Sequence, residues 1–83
     1  MKKKLRWNKR QVEDFEYWIA KGPLNWEFSI DNNNGIYEAF VYFGSGDDVP
    51  LCKQIGGFKS LNEAKKYCQI WVFNLIVELN KWL

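Results

Sequence analysis

The sequence predicts an α+β domain of order α-β-β-β-α, with a three-stranded antiparallel meander packed against a shorter N-terminal helix and a long C-terminal helix. Three observations predict it: a capped helical pattern near the N-terminus, apolar/polar alternation in the middle, and a long helical apolar pattern at the end. The 83 residues are expected to form a single domain, 1–83. A hydrophobic content of 47% and an aromatic content of 18% are enough for a dense core.

The N-terminal element is predicted to be a helix over about residues 9–21. Asn8 and Gln11 have the spacing of a capping box. The apolar residues that follow at helical spacing are Val12, Phe15 and Ile19. Gly22-Pro23 is then expected to end the helix, because glycine favours a left-handed cap and proline cannot continue the helix.

The middle of the chain is predicted to form the three strands of the meander. Residues 24–31 alternate apolar and polar side chains, which indicates a half-buried strand. The Asn- and Gly-rich segment 32–35 favours a tight turn into a second strand, 36–43. A third strand is expected over about 49–55, and Gly56-Gly57 is expected to end it.

The C-terminal element is the clearest helix in the sequence. Ser60 and Glu63 form a second capping box, followed by a helical pattern of about 22 residues. Between Ile70 and Val77 the pattern is apolar almost all round, which is typical of a helix covered on several sides. A homodimer through this helix is therefore predicted, with contacts from Ile70, Phe73, Val77 and Trp82.

The sequence contains few residues in arrangements that support catalysis. The chain contains no histidine, which removes the commonest general base and the commonest metal ligand. Asp47-Asp48 in a glycine-rich loop lacks the further oxygen ligands of a calcium loop, so it is interpreted as a solvated turn. We expect no enzyme activity, no cofactor and no metal.

Residues near the N-terminus also bear on cellular location. The opening run of lysines is not followed by the apolar segment of a signal peptide. The longest apolar stretch, Ile70–Val77, is interrupted by Asn74 and is far shorter than a membrane span. A cytoplasmic protein is expected, with Cys52 and Cys68 reduced.

Charge is distributed unevenly along the chain. The net charge is +2, but the first ten residues hold six of the twelve bases and no acid, which leaves six bases against ten acids in residues 11–83. Residues 1–7 are interpreted as a flexible basic arm. Clustered bases are what phosphate contacts require, so nucleic-acid binding is an alternative function. The bases concerned are Lys2, Lys3, Lys4, Arg6, Lys9 and Arg10.

Residues 24–65 carry a resemblance to a known group. Three strands followed by Gly57-Phe58-Lys59-Ser60 and, after two intervening residues, Glu63-Ala64 are similar to the small β-β-β-α DNA-binding domains of the Arm-type or AP2-like group. The resemblance covers a little over half of the chain and implies DNA contact from the sheet. Those domains present basic and polar residues there, whereas the corresponding face here is expected to be acidic and aromatic.

The favoured hypothesis is a non-enzymatic protein-binding module. Exposed aromatic residues beside carboxylates suit a protein interface, because aromatic side chains are enriched in interface cores. The residues expected to bind the partner are Glu27, Asp31, Glu38, Phe40, Tyr42, Asp47 and Asp48. In size and composition the chain resembles small phage and mobile-element proteins, among them anti-CRISPR and other anti-defence inhibitors of host factors.

Overall fold

A computed structural model describes residues 4–23, 26–43 and 51–82. These residues form an α+β fold in which five antiparallel strands are followed by one C-terminal helix. The elements are β1 (Asn8–Val12), β2 (Phe15–Lys21), β3 (Glu27–Asn33), β4 (Ile36–Phe43), β5 (Leu51–Phe58) and α1 (Leu61–Trp82). The strands lie in the sheet in chain order, so the sheet is a simple meander.

The predicted N-terminal helix is wrong, because residues 9–21 lie in the β1–β2 hairpin. Val12 pairs with Phe15 across a two-residue turn. Segment 15–19 consists almost entirely of aromatic and β-branched residues, which favour a pleated surface over a helix. The meander therefore has five strands among the described residues instead of three, with a single helix on it.

The core lies between one face of the sheet and α1. The sheet contributes Trp18, Ala20, Phe28, Ile30, Ala39 and Val41, all buried. From the helix, Ala64, Cys68 and Val72 are buried, one per turn along a single side. The alternation predicted for β3 is confirmed, since Phe28 and Ile30 are completely buried on the helix side.

The tight turn between β3 and β4 is confirmed. Asn33 pairs with Ile36, and the two residues between them have positive φ, 53° at Asn34 and 87° at Gly35. Asn and Gly adopt this conformation at the lowest cost. The Gly35 N–H also donates to Asn32 Oδ1 at 3.1 Å, which fixes the start of the turn.

The third predicted strand corresponds to β5, but Gly56-Gly57 does not end it. β5 continues to Phe58, and its pairing with β4 shifts by one residue between Ala39 and Phe40. A Cβ atom at Gly56 would lie 2.9 Å from the Phe58 ring, so the ring occupies the space that a side chain at Gly56 would fill. Phe58 in turn contacts Tyr67 of α1, with ring centroids 5.2 Å apart. Residues 49 and 50 lie outside the described residues.

Ser60 is confirmed as the N-cap of α1, since Ser60 Oγ accepts the Glu63 N–H at 3.2 Å and the helix begins at Leu61. The N-terminal segment is held against this helix. The Leu5 N–H donates to Gln69 Oε1 at 2.8 Å, and Leu5 and Trp7 pack against the core.

Candidate functional site

The sheet has a second face, opposite α1, which we call the open face. Strand alternation places every second side chain of each strand on it. The described helix packs on the other side of the sheet. The five sheet residues predicted to bind a partner share the open face: Glu27, Asp31, Glu38, Phe40 and Tyr42. Asp47 and Asp48, predicted to contribute, lie outside the described residues.

The pairing register arranges the open face in three rows that cross the sheet. The rows are Arg10–Tyr17–Asp31–Glu38, Asn8–Ile19–Ser29–Phe40–Gln54 and Lys21–Glu27–Tyr42–Cys52. The middle row carries Ile19 and Phe40, and the rows beside it carry charged side chains next to tyrosines. The acids lie on the neighbouring strands β3 and β4, while the bases Arg10 and Lys21 lie on β1 and β2.

A further apolar group lies on the open face, at the hairpin ends of the strands. Val12, Phe15 and Ile36 are 59%, 43% and 44% exposed. Phe15 also stacks on Tyr17, with ring centroids 5.7 Å apart. The sequence interpretation missed this group because it placed Val12 and Phe15 in a helix. The signal that could have found it is the alternation of Phe15, Tyr17 and Ile19 with the residues between them.

Two carboxylates meet in the row of the open face that lies between its middle row and the hairpin ends of the strands. Asp31 and Glu38 are direct partners in the β3–β4 register. Burial raises the pKa of Asp31 and the charge of Glu38 raises it further, while a hydrogen bond from Ser29 opposes both. Ser29 Oγ lies 3.2 Å from Asp31 Oδ1. Asp31 is thus stabilised by a neighbouring hydroxyl. The nearest cation in its row is Arg10 on β1, which Tyr17 separates from Asp31.

Amides of neighbouring strands fix the second carboxylate. Asn33 Nδ2 donates to Glu38 Oε1 at 2.7 Å, and Gln54 Nε2 donates to Glu38 Oε2 at 3.3 Å. Both oxygens of Glu38 therefore have a partner, and the side chain is oriented across the face. The sequence interpretation identified Glu38 but missed both amides, since Gln54 is brought beside it only by the β4–β5 register.

Tyr42 and Cys52 face each other at the β4–β5 pair. Burial raises the pKa of Tyr42, and the neighbouring Cys52 thiol raises it further. The Tyr42 phenol also hydrogen-bonds with Ser29, which lowers its pKa and opposes these effects. Tyr42 therefore remains a neutral hydrogen-bonding group at the rim of the face. Cys52 is an exposed free thiol.

The predicted basic group does not gather on one surface. Lys9 points to the helix side of the sheet, where Nζ lies 3.1 Å from Glu16 Oε2 and 6.0 Å from the centre of the Trp18 ring. Arg10 lies on the open face, and Lys4 and Arg6 are exposed in the segment that runs along α1. Lys2 and Lys3 lie outside the described residues.

Other site types find little support in the described ranges. There, no group of three or more His, Cys, Asp or Glu side chains is placed to hold a metal ion. A cleft of about 280 Å³ between α1 and Trp26 is lined by Trp71, Asn74, Leu75 and Glu78, with a single ionisable group. Within the same ranges, α1 is not apolar enough to cross a membrane, nor is any other helix.

Comparison with known proteins assigns no family. No family model, curated protein or solved structure matches the chain significantly.

Proposed function

We propose that the chain is a non-enzymatic protein-binding module that engages its partner through the open face. The observation that carries this proposal is the register pair Asp31–Glu38, flanked on the same face by Tyr17, Phe40 and Tyr42. Carboxylates placed opposite each other cost folding free energy, as a cross-strand pair of like charge does. A partner that brings cations to them would recover that energy.

The charge pattern indicates the kind of partner surface that fits. The acids of β3 and β4 would pair with lysine or arginine side chains of the partner. The aromatic rings between them would pack against an apolar centre of the partner surface. Arg10 and Lys21 at the β1–β2 side would meet acids of the partner. A surface with both signs fixes one orientation of the partner, because the reversed orientation would bring like charges together.

The scaffold suits an inhibitor or adaptor of a larger protein. Strand side chains are presented by a hydrogen-bonded sheet, so little conformational entropy is lost when they are contacted. A small domain with one such face fits the role of a phage-type inhibitor of a host factor, of the anti-defence or anti-CRISPR kind. Cytoplasmic location is part of this proposal.

Nucleic-acid binding through Lys2, Lys3, Lys4, Arg6, Lys9 and Arg10 is the second candidate. The uneven charge of the chain favours it. Two observations weigh against it: Lys9 is already paired with Glu16, and the acids of the open face would repel phosphates. Salt dependence separates the candidates, since phosphate contacts release counterions and weaken steeply with salt.

The test is affinity capture from a nuclease-treated cell lysate, followed by calorimetry with the purified captured protein. Phe40→Ala/Tyr42→Ala should weaken binding by at least about tenfold, as loss of two interface aromatics does. The matched control, Phe73→Ala/Ile70→Ala, changes α1 on the opposite side of the molecule and should retain the affinity. If Phe40→Ala/Tyr42→Ala bound the partner with the affinity of the unaltered chain, the open face would not be the binding surface. Capture that disappears after nuclease treatment would favour the second candidate.

A further inference from the structure

The outer side of α1 carries apolar residues that the core does not use. Ile70, Phe73 and Val77 are 53%, 49% and 48% exposed, although Ala64, Cys68 and Val72 on the other side are buried. Together with the exposed Asn74 we call these residues the outer stripe. Apolar residues at spacings of three, four and seven form one continuous strip on a helix. The exposed stripe is thus a surface of the kind that helix pairs bury.

Charged side chains lie at both ends of the outer stripe. Glu63 and Lys81 are exposed and lie 18 positions apart, which is five turns at 3.6 residues per turn. They therefore project from the same side of α1 as Ile70 and Val77, about 27 Å from each other. Lys66, also exposed, lies on the same side between Glu63 and Ile70, and Glu78 lies beside Lys81, so the charges along the helix run acid, base, apolar centre, acid, base.

This order is self-complementary in one orientation. When two copies of α1 lie antiparallel with Glu63 of each copy opposite Lys81 of the other, Lys66 likewise faces Glu78 of the other copy, and the apolar centres overlap. In the parallel orientation, Glu63 would meet Glu63 and Lys81 would meet Lys81, which is unfavourable. An antiparallel pair also has the two-fold symmetry that closes a dimer through one shared surface.

We propose that the outer stripe binds the outer stripe of a second copy of this chain in an antiparallel homodimer. Ile70, Phe73 and Val77 supply the buried apolar centre, and two Glu63–Lys81 pairs set the orientation. Lys81 Nζ lies 3.3 Å from Glu78 Oε1 of its own helix. Because this ion pair is exposed, Lys81 can leave Glu78 and pair with Glu63 of the other copy at little cost. The proposal is independent of the proposed function, since it uses the opposite side of the molecule. The Trp82 side chain, also predicted to contribute, lies outside the described part.

The first experiment measures mass by light scattering over a concentration series of the full chain. The expected mass is twice 9.9 kDa at high concentration, falling to 9.9 kDa for Ile70→Glu/Val77→Glu. The matched control is Val12→Glu/Ile36→Glu, which places the same substitutions at equally exposed positions of the open face and should leave the dimer intact. A monomer at every concentration, or a dimer that survives Ile70→Glu/Val77→Glu, would overturn the proposal.

The second experiment fixes the orientation without disturbing the apolar centre. In a Cys52→Ser background, Glu63→Cys and Lys81→Cys chains are mixed and oxidised. The mixture should form a disulfide between the two chain types, because their Cβ atoms meet in the antiparallel pair. Neither chain should cross-link to itself. Self-linked Glu63→Cys or Lys81→Cys dimers without the mixed product would contradict the antiparallel arrangement.

Discussion

Asp31 and Glu38 lie directly opposite each other on β3 and β4, with both carboxylates on the open face. A pair of like charges in register does not stabilise a sheet. The Ser29 hydroxyl and the Asn33 and Gln54 amides hold the pair in place without removing its charge. The repulsion between the two carboxylates costs folding free energy, and a cationic partner of the kind proposed above would recover it.

The pH dependence of the free energy of unfolding should reveal the repulsion between Asp31 and Glu38. The pKa of Asp31 is higher in the folded protein than its ordinary value of 3.8, so the ionised carboxylate destabilises the fold above the folded pKa. Asp31→Asn should raise the free energy of unfolding at pH 7 by roughly 0.2–1 kcal/mol, the size of a cross-strand pair. The gain should shrink as the pH falls through the raised pKa and vanish below about 3.8, where folded and unfolded states both hold the proton.

Urea unfolding at pH 7 and at pH 3 measures this difference. The control is Glu27→Gln on the same face, where Lys21 stands opposite instead of an acid. That variant should be neutral or slightly destabilising at pH 7. A destabilised Asp31→Asn at pH 7 would mean that the Ser29 hydrogen bond outweighs the repulsion.

The two adjacent glycines of β5 should respond differently to alanine. At Gly56 a Cβ atom would lie 2.9 Å from the Phe58 ring, and displacing that ring disturbs its contact with Tyr67. Gly56→Ala should therefore cost about 1–3 kcal/mol, the usual range for overpacking. At Gly57 the nearest atom is Ile36 Cγ2 at 3.6 Å, an ordinary contact. Gly57→Ala should be neutral or should stabilise by up to about 1 kcal/mol, as measured by thermal unfolding.

Backbone strain at Glu13, in the turn between β1 and β2, should be relieved by a glycine substitution. Glu13 has a φ of 56°, in the left-handed region that glycine adopts more easily. Glu13→Gly should raise the free energy of unfolding by about 0.5–1 kcal/mol, because the strain exceeds the added chain entropy. Asp14→Gly is the control: Asp14 has no positive φ, so glycine there should destabilise. Equal effects of the two substitutions in chemical denaturation would argue against strain at Glu13.

The two thiols should differ in reactivity. Cys52 is exposed, whereas Cys68 is completely buried, and burial raises the pKa of its thiol to about 12. At pH 8 a disulfide reagent should titrate one thiol per chain quickly, and the second only after denaturation. Cys52→Ser should abolish the rapid reaction. Two rapid reactions in the native protein would show that the α1 side of the core opens easily.

Much of the fold was predictable where local signals agreed. The β3–β4 hairpin has alternation on both strands and Asn34-Gly35 at the turn, so its faces could be assigned from sequence. The start of α1 followed from Ser60 and its hydrogen bond to the Glu63 N–H. These elements place Asp31 and Glu38 side by side, and the acidic part of the candidate site was predicted for that reason.

The first hairpin was not predicted because two of its local sequence signals point away from a hairpin. Asn8 and Gln11 have capping-box spacing, and the turn at Glu13-Asp14 lacks the glycine that normally marks a two-residue hairpin. Gly56-Gly57 predicted the end of β5, but the strand continues through both glycines to Phe58. The Phe58 ring fills the space beside Gly56 and supplies the packing that glycine lacks. The aromatic residues of β2 were therefore absent from the predicted site.

Because α1 covers a single face of the sheet, its outer stripe and the open face lie on opposite sides of one thin domain, whose smallest extent is 18 Å. Two chains joined through α1 would form four layers, sheet–helix–helix–sheet, with the two open faces pointing away from each other. Such a dimer is bivalent but cannot place both faces on one flat surface. It would bridge two separate partner molecules, and with an oligomeric partner it would build a cross-linked network whose assembly depends on stoichiometry.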